Sequence, residues 1–226
     1  MDVKALAAMI DQTLLKPTAG QTAASEWIES SIGHGFATLC VSPFIVPAAV
    51  KRAADTKTAV CSVAGFPLGY QTSESKAEEA RHLVALGCAE IDMVVNIAQL
   101  IEGDLDFVRD DIEAVVNAVA VASDNNGVVK VILETGYLTE EQTAAGCRLV
   151  EQAGAHFVKT STGFGPRGAS VRDVEIMREQ VGDRLGIKAA GGIRDLETAQ
   201  QMIDAGATRI GTSSGIEIIE TLMHRG

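Results

Sequence analysis

Apolar and polar residues alternate along this chain in two rhythms. Short runs rich in Val, Ile and Ala are apolar at every position or every second one, and between them lie stretches whose apolar residues recur three and four apart. The first rhythm is that of buried strands, the second that of helices with one face on a core. Strands are predicted at Met9–Thr13, Phe36–Val41, Thr58–Val63, Glu90–Val95, Val128–Glu134, Phe157–Ser161, Gly186–Ala190 and Thr208–Thr212. Helix ends are legible between them. Thr139, with Gln142 three residues on, has the spacing of a capping box, and Gly154 follows the last turn. Asp195 is placed to cap the next helix but one, whose Leu196, Ala199, Met202 and Ile203 form one apolar stripe before Gly206.

Eight strands alternating with helices, undivided by any linker or low-complexity segment, predict one α/β domain over residues 1–226. The expected architecture is a closed (β/α)8 barrel of the TIM type with a short N-terminal helix. An open doubly wound sheet is the alternative, but no G-x-G-x-x-G follows the first strand. A recurrence supports the barrel: Gly35, Gly87, Gly154 and Gly206 each end a helix, and five residues later come Cys40, Asp92, Lys159 and Gly211. Equivalent positions on equivalent strands place Asp92 and Lys159 at one level.

The strands carry charges. Period two puts Lys130, Ile132 and Glu134 on one face, and Lys159 with Ser161 on another, while Lys188 sits in Ile187–Ala190 and Asp92 in Glu90–Val95. Isolated buried charges are too costly to leave unpaired, so several strands aiming them inward imply a polar cluster. A structural ion-pair network is one reading. The other is amine chemistry: a lysine attacks a carbonyl only when neutral, and a second ammonium about 6 Å away, at an effective dielectric near 20, costs roughly 3 kcal/mol, or about two pKa units. Lys188 beside Lys159 is therefore expected to favour the neutral nucleophile of Schiff-base catalysis, with Asp92 shuttling protons.

Three glycine- and serine-containing loops follow the last three strands: Thr162-Gly163-Phe164-Gly165, Ala190-Gly191-Gly192-Ile193 and Thr212-Ser213-Ser214-Gly215. In a barrel they meet at the carboxyl end, where phosphate sites are built, and N–H groups around Ser213-Ser214 and the following helix are expected to hold a dianion. A phosphorylated carbonyl compound fits loops of this kind above a pair of lysines.

Composition narrows the partners. A net charge of −11 without a Lys/Arg stripe argues against nucleic acid. No apolar run reaches a membrane-spanning length and no signal sequence opens the chain, so a cytoplasmic protein is expected. Cys40, Cys61, Cys88 and Cys147 lack C-x-x-C spacing and are expected as reduced thiols, Cys40 facing inward as a structural one. His34, His82, His156 and His224 show no metal-ligand spacing, the run Glu74 to Glu79 reads as a solvated helix face, and Trp27 as a packing residue.

These motifs resemble deoxyribose-phosphate aldolases. The resemblance is carried, in order, by Ile10-Asp11-Gln12-Thr13-Leu14-Leu15-Lys16-Pro17, Cys40-Val41-Ser42-Pro43, Gly65-Phe66-Pro67-Leu68-Gly69, Glu90-Ile91-Asp92-Met93-Val94, Lys130–Thr135, Phe157–Phe164 and Lys188–Arg194. It implies a class I aldolase, without metal or other cofactor, that cleaves 2-deoxy-D-ribose 5-phosphate to acetaldehyde and glyceraldehyde 3-phosphate. It further implies Lys159 as the Schiff-base lysine, Lys188 as the partner that lowers its pKa, and Asp92 as the third relay member. Gly163, Gly191, Gly192, Ser213 and Ser214 match the phosphate loops, and Asp11 and Lys130 the polar residues around the substrate hydroxyls. A cytoplasmic homodimer is the family's usual form. Two departures stand out: Gln12 replaces a frequent histidine, which is expected to alter the wall near Asp11, and the chain stops at Met223-His224-Arg225-Gly226 without the C-terminal tyrosine tail of some members. The rival readings are a Schiff-base aldolase for another phosphosugar and a noncatalytic phosphosugar-binding barrel; a metal-dependent aldolase is disfavoured by the missing His cluster.

Overall fold

The Val- and Ile-rich runs form eight parallel strands that close into one barrel, each bonded to the next and the last to the first. They are β1 (Ile10–Leu14), β2 (Thr38–Val41), β3 (Ala59–Ala64), β4 (Glu90–Val94), β5 (Val128–Ile132), β6 (Phe157–Lys159), β7 (Gly186–Ala190) and β8 (Arg209–Thr212). This computed structural model describes residues 2–225; Met1 and Gly226, the ends of the expected unit, lie outside the described residues. The helices are α1 (Val3–Ala7), α2 (Gln21–Ser31), α3 (Val46–Ala53), α4 (Ser73–Ala85), α5 (Ile97–Glu102), α6 (Leu105–Ala122), α7 (Glu140–Gln152), α8 (Val171–Val181), α9 (Leu196–Asp204) and α10 (Gly215–Arg225). The short N-terminal helix is thus present, capped by Asp2, whose carboxylate accepts from Ala5 N. Among the described residues no helix is long and apolar enough to cross a membrane.

Helix ends follow local chemistry. The Thr139–Gln142 capping box starts α7, Asp195 accepts from Thr198 N at the start of α9, and Ser170 forms a second box with Asp173 at α8. Leu196, Ala199 and Met202 are buried as the stripe predicted. Three strands end earlier than the sequence rhythm suggested, β4 by one residue at Val94. β5 stops at Ile132 because Glu134 turns into the left-handed region (φ 57°), and β6 stops at Lys159, leaving Ser161 beyond the ladder.

The apolar core lies outside the barrel wall, between strands and helices. Leu39, Val60, Ile91, Met93, Val129, Val131, Val158, Ile187 and Ile210 all point there and are buried. The interior is different. Below the level of Thr13, Val63, Ile132 and Ala190, strand register sorts its side chains into three levels of four, drawn alternately from even and odd strands as barrel geometry requires. From the amino-terminal end these are Thr38, Glu90, Phe157 and Arg209; then Asp11, Cys61, Lys130 and Lys188; then Cys40, Asp92, Lys159 and Gly211. The last level is the set picked out by the glycine recurrence. Gly211 makes room for Lys188: a Cβ there would lie 3.0 Å from Lys188 Cε.

Candidate active site

Six of these interior residues form a closed ring of alternating charge. Asp92 Oδ1 lies 2.7 Å from Lys130 Nζ, which lies 2.7 Å from Glu90 Oε2. Glu90 meets Arg209 at 2.9 Å, Arg209 meets Asp11 at 2.6 Å, Asp11 meets Lys188 at 2.5 Å, and Lys188 returns to Asp92 Oδ2 at 2.7 Å. Three anions and three cations balance. Lys159 is a seventh member outside the ring, donating to Asp92 Oδ2 at 2.6 Å. Since both amines touch one oxygen, Lys159 and Lys188 can be no farther apart than the sum of those two contacts, inside the separation assumed from sequence.

The ring fixes its own charge states. Burial pushes the Asp92 carboxyl up, but Lys130, Lys159 and Lys188 outweigh it and hold Asp92 well below the usual carboxylate range. Asp11 is lowered in the same way, its burial outweighed by Lys188, Lys130 and Arg209. Burial lowers the proton affinity of Lys188, yet Asp11 and Asp92 hold it above the ordinary lysine range; Lys130 is raised as well, against its burial, with Asp92 the largest of its supports. Lys188 is therefore a committed ammonium. Lys159 hydrogen-bonds one carboxylate oxygen, which it shares with Lys188.

A cavity of about 610 Å³ opens at the carboxyl end of the barrel. Of the seven network residues only Lys159 lines it. Its other walls include Gly163, Gly191, Gly192, Ser213 and Ser214, so the structure gathers every expected loop residue around one opening. Gly163, Gly191 and Gly192 have φ near +85° (87°, 88° and 81°), a conformation that favours glycine, and their loops pack backbone to backbone: a Cβ on Gly191 would lie 3.0 Å from Gly168 Cα. Lys16 and Arg194 add exposed cations at the mouth, and Trp27, expected only to pack, also lines it.

Asp11 and Lys130, expected around the substrate hydroxyls, lie deep in the barrel interior. Both are fully buried beneath the cavity, and neither lines it. Their side chains close the ring instead. The N–H groups expected to receive the dianion are also partly engaged: Ser214 N donates to Thr212 Oγ1 at 2.9 Å, and Gly215 N to Gln12 Oε1 at 2.9 Å. Gln12 thus corrects an expectation. It turns away from the barrel interior and holds the start of α10, so it does not alter the wall beside Asp11.

Two ring residues escaped the sequence reading. Glu90 and Arg209 complete the ring, and period two would have found them, since each lies two residues before an inward position. Glu134 is buried with its carboxylate accepting from Thr162 N (3.2 Å) and from the Thr162 hydroxyl. Burial raises its pKa, opposed by those bonds and by Lys159. It pins the first residue of the loop that carries Gly163 and Phe164; Arg167 pins the other end through Asp173 and the Thr135 carbonyl. Ser161, two residues past Lys159, has a buried hydroxyl without a hydrogen-bond partner among the described residues, in an interior where such groups are usually paired. Cys40 and Cys61 approach Asp92 closely enough to suggest a metal triad, but Asp92 is already filled: Oδ1 accepts from Lys130 and Cys61, and Oδ2 from Lys159 and Lys188.

A closed (β/α)8 barrel with a lysine at the floor of a phosphate-type cavity defines a barrel aldolase. The comparisons agree. A family model described as DeoC/LacD family aldolase matches residues 6–220. A deoxyribose-phosphate aldolase of Thermoanaerobacter sp. (strain X514) is 50% identical, covering 95% of this chain and 96% of its own. One from Clostridium perfringens (strain SM101 / Type A) is 46% identical over 97% and 96% of the two chains. Among solved structures, the aldolase QR15 superposes with a TM-score of 0.91 at 39% identity, covering 97% and 96% of the chains. A tetrameric deoxyribose phosphate aldolase from Aeropyrum pernix gives 0.89 at 30% identity, covering 100% and 94%. The chain belongs to the DeoC/LacD aldolase family.

Proposed function

We propose that this chain cleaves 2-deoxy-D-ribose 5-phosphate reversibly to acetaldehyde and D-glyceraldehyde 3-phosphate through a Schiff base on Lys159, in deoxyribose phosphate breakdown. One observation carries the reading: Lys159 is the network amine that reaches the cavity, and the one whose charge the neutral ring does not need. Neutral Lys159 attacks C1 of the open-chain sugar, and the carbinolamine loses water to give an iminium. The C2–C3 bond then breaks, its electron pair flowing into the iminium to form an enamine while the C3 hydroxyl loses its proton. Glyceraldehyde 3-phosphate leaves. Protonation of the enamine at C2 and hydrolysis release acetaldehyde and regenerate the amine.

Lys188, held as an ammonium by Asp11 and Asp92, disfavours a second positive charge on Lys159 and is a proton donor within reach. Asp92 binds both amines through one oxygen and carries protons between them with water. Gly163, Gly191, Gly192, Ser213 and Ser214, with Lys16 and Arg194 at the rim, hold the phosphate. The whole activity resides in one barrel over residues 1–226, working as a cytoplasmic homodimer.

Borohydride reduction in the presence of deoxyribose 5-phosphate, followed by peptide mass spectrometry, tests the assignment. An adduct on Lys159 is expected. An adduct on Lys188 or Lys130 would reassign the roles, and folded protein that binds the sugar without any adduct would overturn the Schiff-base reading.

A further inference from the structure

The charge ring closes far from the cavity, through a pair the proposed chemistry never touches. Arg209 of β8 bonds Asp11 and Glu90 with one guanidinium, which also lies 5.2 Å from the centre of the Phe157 ring. Glu90 of β4 in turn bonds Lys130. Neither Glu90 nor Arg209 lines the cavity. Both sit at the lowest interior level, two strands from Lys159: register runs from Lys159 to Lys188 to Arg209 across β6, β7 and β8. A role confined to packing would be served as well by apolar residues, since buried ion pairs rarely add net stability over well-packed hydrophobic groups. Replacing either one alone, by contrast, breaks the cancellation of charge around the ring. Asp11, Glu90 and Asp92 against Lys130, Lys188 and Arg209 sum to zero, so the loss of any one of them leaves the ring charged beside Lys159.

We propose that Glu90 and Arg209 are positioning residues that set the net charge of the barrel interior and, through it, the pH at which Lys159 forms its imine. The inference rests on the assignment of Lys159 as nucleophile. The groups that face Lys159 are Asp92 from β4, Lys188 from β7 and Glu134 from the end of β5, with Asp11 (β1), Cys40 (β2), Cys61 (β3), Glu90 (β4), Lys130 (β5) and Arg209 (β8) completing the interior. Of these, Glu90 and Arg209 are separated from Lys159 by the rest of the ring, so altering them changes charge without changing any group the substrate meets.

The two residues must act with opposite sign. Without the Arg209 cation the ring is left negative, the Lys159 proton is favoured, and imine formation moves to higher pH. Without the Glu90 anion the ring is left positive, that proton is disfavoured, and imine formation moves to lower pH. Two strand spacings amount to about 10 Å, and at an effective dielectric near 20 a unit charge there displaces a titration by about one pH unit.

The experiment is the pH profile of cyanoborohydride trapping with deoxyribose 5-phosphate, read as the Lys159 adduct by mass spectrometry, with thermal melts to establish that each variant is folded. Arg209→Met is expected to raise the half-point by about one unit and Glu90→Gln to lower it by about one unit. The double variant should return close to the parent half-point, and Arg209→Lys, which keeps the charge, should also resemble the parent. Single variants that shift together or not at all, or a double variant displaced farther than either, would overturn the proposal, because structural damage accumulates whereas opposite charges cancel. If Arg209→Met does not fold, Glu90→Gln decides alone: an acid shift supports the proposal and any other result ends it. A parent enzyme with no adduct on Lys159 overturns the nucleophile assignment itself; a Lys159 adduct with unmoved profiles overturns only this inference.

Discussion

Of the lysines buried beside carboxylates in this molecule, Lys76 and Lys159 differ in almost everything that matters to chemistry. Lys76, on α4, is fully enclosed between α4 and α6, donating to Asp111 at 2.7 Å and to the Val94 carbonyl at 3.0 Å. Burial pulls its pKa below the ordinary range, although Asp111 pushes back. Lys159 shares one oxygen of one aspartate with a second ammonium and reaches a cavity. A depressed pKa alone would nominate Lys76. It has a private partner and no opening, so its depressed pKa has no consequence for reactivity. The nucleophilicity proposed for Lys159 rests on a shared partner, a surplus charge and a place in the cavity wall, and burial by itself supplies none of them.

Exchanging the two lysines should break this comparison most visibly. Lys159→Leu is expected to lower kcat by at least about 10⁴-fold and to abolish the borohydride adduct while the protein stays folded. Lys76→Met should do the reverse, leaving kcat near the parent value but costing about 3 kcal/mol in urea unfolding, since Asp111 is left buried and unpaired. Pairing it with Asp111→Leu should recover much of that loss. A Lys76→Met enzyme of normal stability and poor turnover would remove the distinction drawn between the two sites.

Legibility in the sequence divides along the same line. Asp92, Lys159 and Lys188 stood out because charge within an apolar strand has few innocent explanations and period two fixes its side. Glu90 and Arg209 carried the same signal but open their strands, where a charge looks solvated. Lys76 sits in the run from Glu74 to Glu79, which reads as an exposed helix face; that it turns inward depends on Asp111, thirty-five residues on, and no local pattern contains that pairing. The barrel was readable because strand rhythm is local. The closure of its interior charge was not, because it joins β1, β4, β5, β7 and β8 through side chains.

Glu134 sharpens the contrast between a residue that makes chemistry and one that places it. Glu134→Gln keeps an acceptor for Thr162 but loses the charge-assisted bonds that pin the loop carrying Gly163. KM for the phosphosugar should rise about tenfold with kcat within about threefold, the signature of weakened binding. Steady-state kinetics decide, and a fall in kcat at constant KM would place Glu134 in the chemistry. Gly191→Ala should raise KM as well, with added instability from its φ of 88° and the close Gly168 backbone.

The ring also forecasts how stability depends on pH. Asp11 and Asp92 have folded pKa values below their unfolded ones, so their contribution is complete above about pH 4 and is lost as pH falls through the folded values. Lys130 and Lys188 have raised values, so theirs is complete below about pH 10 and is lost only as pH rises beyond it. Thermal midpoints should therefore vary little with the ring between pH 5 and 9, by order of magnitude of these limits, and drop on further acidification. Asp92→Asn should flatten the acid limb, and an unchanged limb would show that other carboxylates set it.

The smallest effect concerns Gln12, where side-chain oxygen meets Gly215 N at the start of α10. A carbonyl in that place satisfies a helix N–H that would otherwise be buried without a partner, because Ile10 and Phe36 crowd the same glycine. Gln12→Ala should cost about 1 kcal/mol of stability and raise KM by a factor of about two, as α10 carries Ser213 and Ser214 at its entry. Gln12→Glu puts a negative charge at the same helix end but brings it close to the phosphate loop. It should keep the stability and lose affinity, so the two variants separate the capping of α10 from its part in holding the phosphate. Equal KM values for both would show that the position supports the helix alone.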